Sequence, residues 1–505
     1  MQRYLWHALL FTFTFLPQIA NGQSAAQPHQ LVAQAWQVVQ QQYYDSTFNN
    51  VDWSRVRRKF LARDYRTKAE AYTAISNMLL RLNNPATRWL TQKEFTAMLA
   101  ELSGNAIVGT GLLELLCLDI HEQTRKLTVV TPLPNSPAAF AGLQPGDEIL
   151  KINGVATEGV SLAAAMRHLR DPRANKMNLT IQRASQSFEV EVSRGLLTST
   201  QTVQASLREE KAGKIGYLAL VQFTPTAGAE MREAINGLTQ AGAAAFVLDL
   251  RYNPGGFLPA CQDIAGMFLG EVKIANLISR SNDFSELQAQ GERLTDKPLA
   301  VLVNAGTASA AEVLAGALQE SRRAHIVGTR TFGKGLVHNA QQLADSSGLM
   351  ITIARAQTVK GRDILTEGIM PDEIVAAPEE LLKQPWPPAA APAGDRPYHR
   401  AVEKLLQKKK LFIAIFSLGP AWQKDKPAHE QAHFKEHSAN LQRLRAEKKI
   451  LLGARYADKG MIILSAADEP EARAWLESDP MVVNSVFTLA LHPFQPFYYG
   501  SIEKE

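Results

Sequence analysis

Between residues 25 and 100 the apolar positions recur at helical spacing. Leu31, Ala35, Trp36 and Val39 fall on one face, as do Ala71, Ile75, Met78, Leu79 and Leu82, until Asn83-Asn84-Pro85 breaks the pattern. From Gly109 to about Arg194 the texture changes to short strands with turn residues between them. Strands are predicted over 127–131, 148–152 and 177–183, with a turn at Leu143-Gln144-Pro145-Gly146-Asp147 and an amphipathic helix over 161–169. After about 210, strands at 215–221, 244–250 and 299–303 alternate with helices at 227–238, 258–269 and 310–318, which argues for a layered α/β core with buried strands. The stretch 383–397 contains Pro-Trp-Pro-Pro-Ala-Ala-Ala-Pro-Ala-Gly, the composition of a semi-rigid linker. Beyond it the pattern predicts strands at 411–416, 461–465 and 486–491 and helices at 429–444 and 469–476. No internal repeat is visible.

The chain has 505 residues, enough for about three domains. Apolar residues are 46% and charged residues 20%, an ordinary globular balance that excludes a disordered or collagen-like chain. A net charge of +5 over this length gives no sign of a nucleic-acid partner. Only two cysteines are present, Cys117 and Cys261, each in an apolar run. They exclude a disulfide scaffold and a multi-cysteine metal site and read as buried free thiols. Met1-Gln2-Arg3, the apolar run over 4–16 and Ala20-Asn21-Gly22 form a leader of the kind a signal peptidase removes. That run is too short to span a bilayer comfortably. The alternative is an uncleaved anchor. Export predicts a mature chain from near Gln23 that works outside the cytoplasm.

The stretch Asn304-Ala305-Gly306-Thr307-Ala308-Ser309-Ala310-Ala311-Glu312 runs from an apolar strand through a small-residue turn into a helix opened by serine. A serine so placed exposes its hydroxyl beside helix N-terminal amides, the Ala310 N–H among them, that can hold an oxyanion. The same residue also suits a plain N-cap. Thr331-Phe332-Gly333-Lys334-Gly335 sets a lysine between glycines in apolar surroundings. A lysine is a base only when neutral, and burial can lower its pKa by about 3 units or more; a surface lysine in a hairpin fits the pattern too. Asp249-Leu250-Arg251-Tyr252-Asn253-Pro254-Gly255-Gly256 ends a buried strand in a glycine pair, either an ordinary β-to-α turn or a place where backbone amides approach a ligand.

Taken in order, the Asn-Pro-Gly-Gly strand end, the Gly-Thr-Ala-Ser-Ala turn and the Phe-Gly-Lys-Gly loop resemble the carboxy-terminal processing (tail-specific) proteases, which use a serine–lysine dyad. Gly361-Arg362-Asp363-Ile364 and Glu367-Gly368-Ile369-Met370-Pro371-Asp372 match that family's pattern as well, and the resemblance spans roughly 30–380. It implies Ser309 as nucleophile, Lys334 as general base, and an oxyanion hole from the Ala310 amide with one from Gly255 or Gly256, with no cofactor. The family usually has glutamine four residues after the lysine; here His338 stands there. Positions 334 and 338 share a face if the segment is extended, so the imidazole is expected to contact the lysine amine.

Residues 105–195 resemble a PDZ domain. Val108-Gly109-Thr110-Gly111-Leu112 is similar to its carboxylate-binding loop, and Ser136-Pro137-Ala138 with Ala141-Gly142-Leu143-Gln144-Pro145-Gly146-Asp147 to its most recognisable run. Such a domain adds an extended peptide to a sheet edge and holds its terminal carboxylate on loop amides, so Gly109, Thr110, Gly111 and Leu112 are the implied tail-binding residues. The unit over 399–505 resembles the YCII-like domains, small α+β folds of ferredoxin-like type that commonly pair into dimers. His437 and Asp479 fall on that family's His/Asp pair, a candidate acid–base or ligand site. The same unit holds His429-Glu430-Gln431-Ala432-His433, which fits the zinc-protease pattern H-E-x-x-H. The polar surroundings of that stretch and the lack of a third ligand at the family's spacing count against it.

The expected architecture is therefore multidomain α/β and α+β. A signal peptide (1–22), a helical N-terminal region (23–104), a PDZ domain (105–195), a layered α/β Ser–Lys protease core (196–382), a Pro/Ala-rich linker (383–398) and a YCII-like ferredoxin-type domain (399–505) follow in order. The expected activity is that of an exported serine endopeptidase, in the periplasm or a thylakoid lumen, acting on proteins with accessible C-terminal tails. No metal, cofactor, nucleic acid or stable membrane span is expected, and the C-terminal domain is the expected seat of any homodimer. Two alternatives remain open: a catalytically inactive PDZ-based scaffold, and a zinc peptidase built on His429 and His433.

Overall fold

A strand with no polar face is stable only between two covering layers. Leu299–Val303 and Ala245–Asp249 are buried at every position and lie side by side, parallel, in the middle of a six-stranded sheet. This computed structural model describes residues 27–102, 116–120, 126–160, 162–169, 176–193, 202–211, 213–280, 284–378, 381, 392, 394–406 and 410–496. The expected leader over 1–22 and the expected tail-binding residues Gly109, Thr110, Gly111 and Leu112 lie outside them. The chain divides into two units, Met1–Val402 and Glu403–Glu505.

In the first unit the central sheet runs Glu373–Ile374, His325–Gly328, Leu299–Val303, Ala245–Asp249, Gly213–Leu220, Val203–Glu210, parallel except for the last pair. Helices Ala227–Gln240, Leu258–Leu269 and Ala310–Glu320 join its strands, and their apolar faces share one core with Phe246, Leu248, Val301 and Ile326. A second sheet is antiparallel throughout. It orders Arg88–Leu90, Gly348–Gln357, Lys273–Ile278 and Phe284–Gln288, with Leu336–Gln342 also paired to Gly348–Gln357. The N-terminal helices Pro28–Gln42, Trp53–Leu61 and Lys68–Leu79 bury Leu31, Ala35, Val39, Ile75 and Met78 together with Leu349 and Ile351 of that sheet. Between the helical region and the core, Leu116–Ile120, Leu127–Pro132, Glu148–Ile152, Lys176–Arg183 and Gln186–Ser193 form an antiparallel sheet whose core includes Leu143 and Leu169.

The segment read as a linker, 383–398, differs at its end: a helix begins at Arg396, and Asp395 and Tyr398 are fully buried in the first unit. In the second unit, strands Lys410–Leu418, Ile450–Tyr456, Lys459–Ala466 and Phe487–Pro493 make an antiparallel sheet in spatial order two-three-one-four, with helices Phe434–Ala446 and Glu469–Glu477 in a β-α-β-β-α-β sequence. The helix expected over 429–444 starts late. Ala428–Glu430 is a single 3-10 turn, and His433, at φ 63°, directly precedes Phe434–Ala446. The Gln431 side chain causes the break: it is buried, donating to the carbonyls of Gln423 (2.7 Å) and Lys426 (2.8 Å) and accepting from the Gln423 amide (3.0 Å). His429 and His433 therefore do not share a helical face.

Candidate active site

Three stretches far apart in sequence meet because each follows one of three adjacent parallel strands. Leu250 to Gly256 leaves Ala245–Asp249, Asn304 to Ser309 leaves Leu299–Val303, and Thr329 to Gly335 leaves His325–Gly328. The carboxyl ends of such strands are where α/β sheets hold their ligands. Polar side chains stitch the loops together. Asn304 Oδ1 accepts from the amides of Tyr252 and Gly306, each at 3.0 Å, and Thr307 Oγ1 donates to the Leu250 carbonyl at 2.8 Å. Backbone bonds from Ala308 to Asn253 (2.9 Å) and from Phe332 to Thr307 (3.0 Å) complete the ties.

Ser309 stands immediately before helix Ala310–Glu320 with φ 57° and ψ −122°. An ordinary N-cap is extended, and a non-glycine residue held at positive φ marks strain that surrounding structure must fix. Much of that fixing comes from Glu312, which sequence reasoning passed over. Its side chain is fully buried, and it accepts four hydrogen bonds. Oε1 takes the Thr331 hydroxyl and the Gly333 amide (2.7 Å), while Oε2 takes the amides of Ser309 and Lys334, each at 2.8 Å. Thr331 Oγ1 itself accepts from the Ile369 amide at 2.7 Å, so its proton is directed to Glu312. All four partners are donors, the set a carboxylate satisfies. Burial pushes the Glu312 carboxyl above its ordinary range, and those hydrogen bonds oppose the rise. One carboxylate oxygen thus holds the backbones of Ser309 and Lys334 together. Both residues are half-buried.

Glycine is required at 255. Its φ is +91°, and a Cβ there would lie 2.7 Å from Ser309 Cβ, 2.7 Å from the Ala308 carbonyl and 2.8 Å from the Ala310 nitrogen. The Gly255 amide is donated to Asn253 Oδ1 at 2.8 Å, so of the glycine pair it is the Gly256 amide that remains for an oxyanion. At the helix start, the amides of Ser309, Ala311, Glu312 and Val313 are all donated within the fold; among the described residues the Ala310 amide has no such acceptor.

His338 lies in strand Leu336–Gln342, half-buried, with Nδ1 3.2 Å from Thr352 Oγ1. That oxygen receives Asn84 Nδ2 at 3.1 Å and Thr87 Oγ1 at 3.2 Å, which occupies both lone pairs and turns its proton toward His338 Nδ1. In the neutral imidazole the proton then sits on Nε2. The expectation that positions 334 and 338 share a strand face assumed one regular strand between them. The strand begins only at Leu336, and its register against Gly348–Gln357 shifts between Val337 and His338, so simple alternation does not run through.

The unit over 127–193 touches these loops. Thr131 is fully buried with its hydroxyl 3.1 Å from the Pro132 carbonyl and 3.4 Å from the Tyr252 carbonyl, and a Cβ on Gly306 would lie 2.8 Å from Thr131 Oγ1 and 3.0 Å from Pro145 Cγ. Cys261 is a buried free thiol behind the helix start, 3.4 Å from the Ala310 carbonyl, and burial pushes its pKa up to about 12. In the second unit, His437 Nδ1 and Asp479 Oδ1 are 2.8 Å apart, with Asn440 and the Met481 amide also donating to Asp479. The rings of Phe416, Phe434 and Phe487 surround the imidazole. No cluster of three or more metal-ligating side chains occurs among the described residues, and none of their helices is long and apolar enough to cross a membrane.

This arrangement, a serine at a strained strand-to-helix turn with backbone amides and a lysine loop beside it, is that of a serine-type peptidase. Comparison with known proteins agrees. The peptidase family S41 model matches residues 214–375, a PDZ domain model 128–183, a YCII-related domain model 420–494 and a Tricorn protease C1 domain model 24–79. The chain is 39% identical over 373 residues to a carboxyl-terminal-processing protease of Synechocystis sp., covering 73% of this chain and 86% of that one. It is 35% identical over 350 residues to the chloroplastic carboxyl-terminal-processing peptidase 2 of Arabidopsis thaliana, covering 68% of each. The solved photosystem II D1 C-terminal processing protease superposes with a TM-score of 0.63 at 31% identity, covering 72% of this chain and 98% of that one. The chain belongs to the carboxyl-terminal-processing proteases of peptidase family S41.

Proposed function

We propose that this protein is an exported endopeptidase that cuts other proteins near their carboxyl termini, with Ser309 as nucleophile and Lys334 as general base. The observation that carries the reading is the Glu312 carboxylate, whose one oxygen accepts from the amides of both residues. A neutral Lys334 amine takes the Ser309 proton as the hydroxyl attacks the scissile carbonyl, and returns it to the leaving amine. The Ala310 and Gly256 amides stabilise the oxyanion. His338, held by Thr352, orients the lysine in place of the family's usual glutamine. Gly109, Thr110, Gly111 and Leu112 receive the substrate's terminal carboxylate, and the contact of Thr131 with Tyr252 and Gly306 is a route by which tail capture reaches the catalytic loops. No cofactor takes part.

The leader over 1–22 supports export to a periplasm or lumen. In the second unit the β-α-β-β-α-β order and antiparallel sheet support a ferredoxin-like fold. We assign His437 and Asp479 as its accessory ligand or acid–base pair, and the same unit as the homodimer contact.

The test uses the full chain from Gln23 as wild type, Ser309→Ala and Lys334→Met, incubated with a loosely folded protein ending in apolar residues, with and without chelator. Mass spectrometry reads the fragments. Fragments from wild type alone, unchanged by chelator, are expected. Cleavage by Ser309→Ala, or a bound tail that wild type leaves intact, overturns the assignment.

A further inference from the structure

The inference concerns how the oxyanion loop is held, and it rests on the assignment of Ser309 and the glycine pair just made. Arg251 lies at the carboxyl end of Ala245–Asp249, four residues before Gly255. Its guanidinium is buried between two carboxylates. Nε and Nη2 reach Asp249 at 3.0 and 2.6 Å, while Nη1 and Nη2 reach Asp395 Oδ1 and Oδ2 at 2.7 and 2.9 Å, a two-pronged pairing of the strong kind. The side chains of all three are at most 1% exposed.

The two carboxylates differ in what they anchor. Asp249 is two residues from Arg251 on the same strand end, so its bonds move with the loop. Asp395 comes from a segment 144 residues away in sequence and ties the loop to another part of the same unit. That segment is itself fixed. Asp395 Oδ1 accepts from the Tyr398 amide at 3.2 Å, the Tyr398 hydroxyl donates to Glu210 at 2.9 Å, and the Arg208 guanidinium lies over Tyr217 (3.5 Å) and Tyr398 (4.6 Å). Tyr217 in turn donates to Asp249 at 2.7 Å.

From Arg251 the path to the site is short and stiff. The Tyr252 backbone is held at φ 62° with its amide on Asn304, Asn253 is fully buried with Nδ2 on the Leu220 carbonyl at 2.7 Å, and Pro254 precedes Gly255. A displacement of Arg251 has little slack to absorb it before Gly255 meets Ser309 and Ala310.

We propose that Asp395 is a positioning residue for the oxyanion loop, so that the end of the Pro/Ala-rich segment is part of the catalytic apparatus and not a tether alone. It touches no reacting atom. It fixes Arg251, and through Arg251 the distance of the glycine pair from Ser309.

Asp395→Asn keeps the shape and removes the charge, Asp395→Glu keeps the charge one methylene displaced, and Val402→Ala removes buried packing from the same helix but none of these hydrogen bonds. In the full chain, cleavage of a peptide substrate by Asp395→Asn is expected to lose about tenfold or more in kcat, with KM within about twofold. Asp395→Glu recovers part of the loss, and Val402→Ala stays within about twofold of wild type in kcat even where it lowers Tm. Hydrogen exchange over 250–257 should be faster in Asp395→Asn than in wild type, a readout that does not need turnover. An Asp395→Asn enzyme with wild-type kcat and wild-type exchange over 250–257 overturns the inference. So does a Val402→Ala enzyme that loses as much kcat as Asp395→Asn, because loss of packing alone would then suffice. If Asp395→Asn does not fold, Asp395→Glu decides by the same two readouts. A wild-type chain that does not cleave defeats the functional assignment instead, and the exchange data still judge the clamp.

Discussion

Replacing Glu312 probes the geometry at its centre. Glu312→Ala leaves the amides of Ser309, Gly333 and Lys334 and the Thr331 hydroxyl without their acceptor in a buried site. A buried donor left unsatisfied costs about 1–3 kcal/mol. The Thr331 hydroxyl can turn elsewhere and a water can enter the space, so the expected loss of stability is about 3–5 kcal/mol. Glu312→Gln should cost much less. With its carbonyl facing Ser309 and Lys334, its amide nitrogen faces the Thr331 hydroxyl, which has a lone pair left, and the Gly333 N–H, which has none. One orphaned backbone donor predicts about 1–3 kcal/mol. The functional order follows from the same contacts. Alanine releases both Ser309 and Lys334, and a misplacement of about 1 Å costs on the order of a hundredfold in rate. Glutamine keeps that tie and should retain most of the activity.

The pH dependence separates the two roles of this group. Its folded pKa is raised, so its contribution to stability is fully present below the ordinary glutamate value and is lost as pH rises through the folded one. Activity runs the other way, because protonation sets a donor against four donors. Acid therefore lowers cleavage while this group's share of stability grows, and Glu312→Gln removes both slopes. Chemical denaturation and peptide cleavage, each measured across mildly acid to neutral pH, check the pair. A folded Glu312→Ala enzyme that cleaves at near the wild-type rate would refute the reasoning.

Two further outcomes are expected. Gly255→Ala meets a φ of +91° and three contacts below 3.0 Å, a combined cost of about 2–4 kcal/mol, so kcat should fall about tenfold or more while distant amides keep their exchange protection; unchanged kcat would sink the close-approach argument. In the second unit, burial of Asp479 is outweighed by its bonds from His437 and Asn440, which hold its carboxyl below the ordinary range. Its contribution is present above the ordinary aspartate pKa and lost as pH falls through the lower folded one, and His437→Ala should move that loss toward the ordinary value; hydrogen exchange over 410–496 in the full chain reads it.

How far the sequence revealed all this depended on whether each feature was local. The strands at 299–303 and 245–249 and the helices at 258–269 and 310–320 show in the apolar pattern because each is buried by its own side chains. The glycine pair and the serine turn show because backbone conformation there needs particular residues. The antiparallel sheet of 273–278, 336–342 and 348–357 left no comparable trace: Leu336–Gln342 mixes polar and apolar residues without clean alternation, and Lys273–Ile278 pairs with Gly348–Gln357 across a long stretch of chain. A register shift at His338 is likewise invisible in alternation counted from Lys334. The helix expected from residue 429 begins late for a related reason, since Gln431 pulls the chain out of the helix through bonds to residues 423 and 426.

Glu312 and Asp395 show a different limit. Each had a local signal. Serine followed three residues later by glutamate is a capping box, and aspartate two residues before proline opens a helix. Both readings hold, for Glu312 reaches the Ser309 amide and Asp395 precedes Arg396–Leu406. Neither explains why the carboxylate is fully buried. A capping carboxylate is ordinarily at the surface, so taking it out of water requires donors enough to offset desolvation. Glu312 finds four donors and Asp395 finds a guanidinium, and in each case they come from loops that the parallel sheet delivers to one edge. A capping residue could thus be recruited to hold a catalytic loop without losing its local role, and only its burial distinguishes the two uses.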